Sequence, residues 1–141
     1  MDILYRTQST ATGGRNGSAV TSDEGLKVIL TTPKELGGAG GDGTNPEQLF
    51  ASGYAACFLG AVKFVAGRRR IKLSDNASVT ARVGIGMRRD FGGFALDIAL
   101  EVSLPGLDPT TAQDLIEEAD KVCPYSRLAH NGADVAISLA A

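Results

Sequence analysis

The pattern of apolar and polar positions changes character several times along these 141 residues. Residues 3–12 and 18–32 alternate in short runs and predict strands. Ile3-Leu4-Tyr5 begins the first; Ser18-Ala19-Val20 and Leu26-Lys27-Val28-Ile29-Leu30 supply the next two. Gly13-Gly14-Arg15-Asn16-Gly17 and Asp23-Glu24-Gly25 are the turns between them, so the chain opens as a meander. From Leu49 to Ala66 the residues are apolar on nearly every side, as in a helix placed inside a core or between subunits. Residues 77–102 alternate again and read as two long strands. Val79, Ala81, Val83 and Ile85 precede a hairpin at Asp90-Phe91-Gly92-Gly93, and Phe94, Leu96, Ile98, Leu100 and Val102 follow it. A second helix, with Leu115, Ile116, Ala119 and Val122 on one face, ends at Pro124. Ala133 to Leu139 reads as a last strand. The order predicts a single α+β domain over residues 1–141, with mainly antiparallel sheets around two helices.

The start of the long helix is the clearest local signal. Asn45 is a good N-cap, Pro46 suits the first helical position, and Gln48 is placed to complete a capping box. The stretch Gly37-Gly38-Ala39-Gly40-Gly41-Asp42-Gly43 before it lacks the Gly-Lys-Ser/Thr ending of a phosphate loop and reads as a mobile connection. Composition narrows the class. Net charge is −2 and the pI about 5.3, so no nucleic-acid partner is expected. Met1-Asp2-Ile3-Leu4-Tyr5-Arg6 lacks the features of a signal peptide, and no uninterrupted apolar run reaches the ~20 residues of a membrane span. A cytoplasmic protein without a membrane partner is the expectation. Arg68-Arg69-Arg70 complements the negative end of the long helix and stays solvated.

The chemistry rests on two cysteines. Cys57 lies deep in the apolar helix, Cys123 opens Cys123-Pro124-Tyr125-Ser126, and neither has a CxxC or CxxH partner, so no metal or bound cofactor is expected. Thiol redox chemistry needs only a nucleophile and a resolver. Only a thiolate attacks, and desolvation in an apolar helix raises a thiol's pKa, so a reactive Cys57 needs a cation brought to it. Arg15, at the tip of a glycine-flanked turn, is the best candidate, and Glu47 is its natural counter-ion. Glu47 and Cys57 are separated by about 15 Å along one continuous helix. Either the helix breaks, or Glu47 reaches the thiol from a second chain. Cys123, at a helix C-terminus where the dipole disfavours a thiolate, suits the resolving role. Against this stands packing, because free cysteine is among the most buried residue types. His130 shows no ligand or triad partner in the sequence and is given a surface or hydrogen-bonding role. Tyr54 and Tyr125 either line the thiol pocket or fill core.

Four segments, in order over nearly the whole chain, carry a resemblance. They are Gly13-Gly14-Arg15-Asn16-Gly17, Thr44-Asn45-Pro46-Glu47-Gln48-Leu49-Phe50-Ala51 continuing to Gly53-Tyr54-Ala55-Ala56-Cys57-Phe58, Gly92-Gly93-Phe94, and Val122-Cys123-Pro124-Tyr125-Ser126. Together they resemble the organic hydroperoxide resistance (Ohr) proteins of the OsmC/Ohr family. The resemblance implies an intertwined homodimer and a thiol peroxidase that reduces alkyl, aryl and fatty-acid hydroperoxides to alcohols. It implies Cys57 as the peroxidatic thiol and Cys123 as the resolving thiol, joined in a disulfide during turnover, with Arg15 and Glu47 as the activating pair. Phe50, Tyr54, Phe58 and Tyr125 are the candidate substrate pocket. The reductant it implies is an external dithiol, a dihydrolipoyl group on a lipoylated carrier protein. Ser126-Arg127-Leu128-Ala129 is closer to the OsmC branch and Met87-Arg88-Arg89-Asp90-Phe91 is an atypical hairpin tip, whereas Tyr54 and the Arg15 turn favour Ohr. The alternatives are an OsmC-branch peroxidase with a different substrate range, a module binding a lipid-like ligand, and a redox sensor.

Overall fold

Residues 1–90 and 92–140 are described by the structure, a computed structural model. Phe91, at the expected hairpin tip, lies outside the described residues. The chain divides into two units, Met1–Phe50 and Ala51–Ala141.

The first unit is the expected meander. Strands β1 (Ser9–Thr12), β2 (Ser18–Thr21) and β3 (Lys27–Ile29) pair antiparallel in the order β1-β2-β3, with Ser9 opposite Thr21 and Ser18 opposite Ile29. The first strand starts later than the pattern suggests, and Ile3, Leu4 and Tyr5 lie ahead of it, exposed. The reason is the partner. The turn at Asp23-Glu24-Gly25 draws the chain away after Thr21, and the last link of the ladder is Ser22 N–H donating to the Gln8 carbonyl at 3.1 Å. The glycine-rich segment is also not the mobile connection expected of it. It is pinned at both ends: Thr31 N–H donates to Thr44, Thr44 N–H to Ile29, and Gly40 N–H to Thr32. Gly38 is required in this loop, because a Cβ there would stand 2.1 Å from the Thr32 carbonyl oxygen.

Helix α1 (Pro46–Arg68) begins where Asn45 caps it, the Gln48 N–H donating to Asn45 Oδ1 at 2.9 Å. The reciprocal half of a capping box is replaced: Gln48 Oε1 accepts from the Thr44 hydroxyl instead, at 2.9 Å. By length and composition α1 could cross a membrane, with a mean hydropathy of 1.6, but a core helix passes the same test. Within the second unit it behaves as one. Tyr54, Phe58, Ala61, Val62, Val65 and Ala66 are buried, while Ser52, Ala56, Gly60 and Phe64 are exposed.

The rest of the second unit is a hairpin and two helices. Strands β4 (Ser78–Met87) and β5 (Phe94–Ser103) pair antiparallel over their full length. Val79, Ala81, Val83 and Ile85 stand opposite Val102, Leu100, Ile98 and Leu96, so the alternation places one apolar face on the ribbon. Helix α2 (Pro109–Val122) starts at Asp108, whose side chain accepts the Thr111 N–H at 3.0 Å. Leu115 packs with Val65 and Ala66 of α1, and Ile71, Leu73, Leu104 and Leu107 close around them. Val122, expected on the buried face, is 44% exposed.

Two expectations are corrected here. Pro124 ends α2, but it also opens a third helix, α3 (Pro124–Asn131), because proline is well suited to the first helical position. The last strand does not form: residues 133–139 have no ladder partner among the described residues, and Val135, Ile137 and Leu139 are 76%, 92% and 98% exposed. A β pattern makes a strand only where an edge is offered to it.

Candidate active site

In the first unit the sequence builds a rigid mount for one cation. Gly13 and Gly14 take left-handed φ values of 73° and 58°, and residues 14–16 form a single 3-10 turn. Gly17 must lack a side chain, since its Cβ would fall 1.8 Å from the Thr12 carbonyl oxygen. Asn16 ties the turn down by accepting from both the N–H and the hydroxyl of Thr32, at 3.0 and 2.8 Å. Arg15 therefore points in a fixed direction. Its guanidinium meets Glu47 in the two-pronged geometry, Nη1 to Oε2 at 2.8 Å and Nη2 to Oε1 at 2.6 Å. The Arg15 hydrogen bonds hold the Glu47 carboxyl below the usual carboxylate range, and Glu47 in turn raises the proton affinity of Arg15. The fork leaves further donors on the guanidinium for a second anion.

In the second unit the two thiols face each other. Cys123 is fully buried and Cys57 half-buried; both are free, with their sulfurs 3.7 Å apart and Cys123 donating. A disulfide needs about 2.05 Å, so closing the bond requires only a small approach. Burial pushes the Cys57 thiol above its ordinary pKa, the backbone N–H of Tyr125 opposes this by donating to the sulfur, and Cys123 adds to the rise. None of these groups is a cation. Cys123 is not simply at a helix C-terminus as expected. It is the C-cap of α2 and the N-cap of α3, so the negative end of one helix and the positive end of the other meet there.

Around the thiols, Tyr54 donates or accepts at 2.9 Å with Ser126, the one fully buried polar side chain among the described residues. Burial raises the Tyr54 pKa above its ordinary value. Tyr125 stacks at a tilt on Tyr54, centroids 5.8 Å apart, over Gly53, where its hydroxyl oxygen and nearest ring carbon stand 3.2 and 3.3 Å from the position a Cβ would take. Tyr54 and Phe58 line a groove of about 490 Å³ completed by Leu96, Ile98, Leu100 and Ile116, with Asp120 and His130 at its rim. His130 Nε2 lies 3.2 Å from Asp120, a partner that the sequence did not reveal. Phe50, on the opening turns of α1, is half-buried and belongs to the first unit.

The four candidate catalytic residues thus form two pairs, each within its own unit. Two contributors escaped the sequence reading: Ser126 and the Tyr125 N–H. Ser126 could have been found, because it stands three residues after Cys123 and a helix opening at Pro124 puts both on one face. The Tyr125 amide carries no residue-type signal.

The comparisons with known proteins point one way. The family model described as OsmC-like protein matches residues 38–138. The organic hydroperoxide resistance protein of Xanthomonas axonopodis pv. citri is 51% identical, the match covering 98% of this chain and 96% of that one. A crystal structure from Vibrio cholerae, of a putative organic hydroperoxide resistance protein with captopril bound in one of its active sites, has a TM-score of 0.86 and 46% identity. That match covers 93% of this chain and 88% of the other. The OhrB structure from Bacillus subtilis has a TM-score of 0.83 at 37% identity, over 94% and 96%. The chain belongs to the OsmC-like family and, within it, to the organic hydroperoxide resistance proteins.

Proposed function

We propose that the protein is a cytoplasmic thiol peroxidase that reduces organic hydroperoxides to alcohols. The observation that carries this reading is the pair of free thiols 3.7 Å apart, one of them receiving a helix N-terminal N–H. The Cys57 thiolate attacks the terminal oxygen of the hydroperoxide; the O–O bond breaks, and the alkoxide takes a proton and leaves as alcohol. Cys57 becomes a sulfenic acid. Cys123 then attacks the sulfenic sulfur, an S–S bond forms, and hydroxide leaves with a proton as water. An external dithiol, in our reading the dihydrolipoyl group of a lipoylated carrier protein, reopens the disulfide by exchange.

Burial alone leaves Cys57 protonated at neutral pH, so the mechanism needs a cation. Arg15, fixed by Glu47 and with donors to spare, is suited to stabilise both the thiolate and the departing oxygen. α1 is unbroken from Pro46 to Arg68, which removes the kinked-helix route. We therefore assign the Arg15–Glu47 pair facing each Cys57 to a second copy of the chain. The exposed apolar residues Val135, Ile137 and Leu139 support such a homodimer, since a second chain supplies the edge this segment lacks.

Apolar hydroperoxides are the expected substrates because Cys57 lies on α1 between Tyr54 and Phe58, with the Tyr125 ring packed on Tyr54. Burying four methylenes at about 0.8 kcal/mol each gives roughly 3 kcal/mol, more than about a hundredfold in kcat/KM if realised in the transition state. Turnover with a dithiol, measured for cumene hydroperoxide and for hydrogen peroxide on one preparation, tests this. A ratio above about a hundred is expected. Equal efficiencies would contradict the apolar-pocket argument, and no multiple turnover would contradict the enzyme reading.

A further inference from the structure

Two contacts join α1 to the turn that opens α3, and their spacing is matched. On α1, Tyr54 and Cys57 are three residues apart and share a face; on the other side Cys123 and Ser126 are also three apart. Cys57 meets Cys123 and Tyr54 meets Ser126, so the contacts run in opposite chain directions like two rungs of a ladder. Cys123 and Ser126 are both fully buried, and Tyr54 is 3% exposed. A side chain of Ser126 type in a fully apolar setting needs its partner, because an unpaired buried hydroxyl is costly. Sliding α3 by one residue, or rotating it, would break this bond, and Ser126 is the buried residue of α3. The bond is therefore a register pin.

We propose that Tyr54 and Ser126 are positioning residues for the second chemical step, the attack of Cys123 on the oxidised Cys57 sulfur. The inference rests on the peroxidase reading above. In that step the Cys123 sulfur bonds to the Cys57 sulfenic sulfur, the S–OH bond breaks, and hydroxide leaves with a proton as water. The sulfurs start 3.7 Å apart and approach along the line that the second rung holds. The first step, peroxide attack, depends on α3 only through the Tyr125 N–H at Cys57, a weaker aid to the thiolate than the Arg15 guanidinium that the mechanism places there. Losing the pin should slow disulfide closure and leave the initial oxidation in place.

The test separates the two steps. Reduced full-length protein is mixed with one equivalent of cumene hydroperoxide, and the loss of Cys57 thiol is followed by rapid quench. The disulfide and the dimedone-trapped sulfenic acid are quantified by mass spectrometry. Ser126→Ala should oxidise at a rate within about twofold of wild type while disulfide closure falls about tenfold and dimedone adduct accumulates. Tyr54→Phe, which keeps the ring against Tyr125, should show the same closure defect. The double variant should be no slower in closure than either single one, because one bond is removed in all three. Ser126→Thr, which restores a hydroxyl, should recover closure. Unchanged closure in both folded single variants, checked by near-ultraviolet circular dichroism, would overturn the pin. So would additive defects in the double variant. If wild-type protein itself failed to lose its Cys57 thiol, the peroxidase reading would fall rather than this one.

Discussion

A thiol in an apolar helix is held protonated by its own surroundings, and among the described residues of its unit the group that opposes this at Cys57 is the Tyr125 N–H. One amide is weaker than a guanidinium. The proposed site therefore stands or falls on Arg15, whose fork can hold a carboxylate with two donors and still offer others. Arg15→Lys keeps the charge but loses the fork. A cation beside a thiolate lowers the thiol pKa, so weakening that cation raises it. The thiolate fraction at neutral pH then falls, and the rate profile moves to higher pH. Thiolate absorbance and peroxide consumption titrated together should both move to higher pH, with a several-fold loss of rate at pH 7. An unchanged Cys57 titration would mean that Arg15 does not act on the sulfur in the resting protein.

Helix α1 carries both halves of the proposed chemistry, Glu47 on its first turn and Cys57 farther along. Its start depends on one side chain, the Asn45 cap on Gln48 N–H. Asn45→Ala should lower stability by about 1 kcal/mol, read from the urea midpoint at unchanged slope. No change would place the helix start under the control of tertiary packing alone. The same helix shows what can be read from sequence. Its cap, its proline and its apolar run are local signals that its neighbours do not override. The β4–β5 register was legible for the same reason, since alternation on both strands specifies one shared face. Elements that depend on a partner were not. Residues 3–7 and 133–139 have strand patterns but no ladder partner among the described residues, and α3 was hidden because Pro124 was read only as a stop. At the site, residue type and helix position were enough to nominate Cys57, Cys123, Arg15 and Glu47. The Tyr54–Ser126 bond was not visible, because neither residue is reactive and their meeting is a matter of α3 packing.

At the scale of the whole molecule, the account requires two chains. In the proposed dimer each chain would contribute a thiol pair and an Arg–Glu pair, and each site would draw one pair from either copy. Mixing Glu47→Ala with Cys57→Ser chains creates heterodimers in which one site keeps both residues and the other keeps neither. Activity should return on mixing to roughly a quarter of wild type per chain, given random exchange into heterodimers. Absence of complementation after exchange verified by native mass spectrometry would contradict the shared site. The central claim, that Cys57 and Cys123 together reduce an organic hydroperoxide, is tested most directly by stoichiometry. Reduced protein is given one equivalent of cumene hydroperoxide, and cumyl alcohol and the Cys57–Cys123 disulfide are counted in the same sample. The account predicts one alcohol and one disulfide per chain, with Cys57→Ser forming neither and Cys123→Ser forming alcohol and a sulfenic acid but no intrachain disulfide. Alcohol formed by Cys57→Ser at the wild-type rate would contradict it.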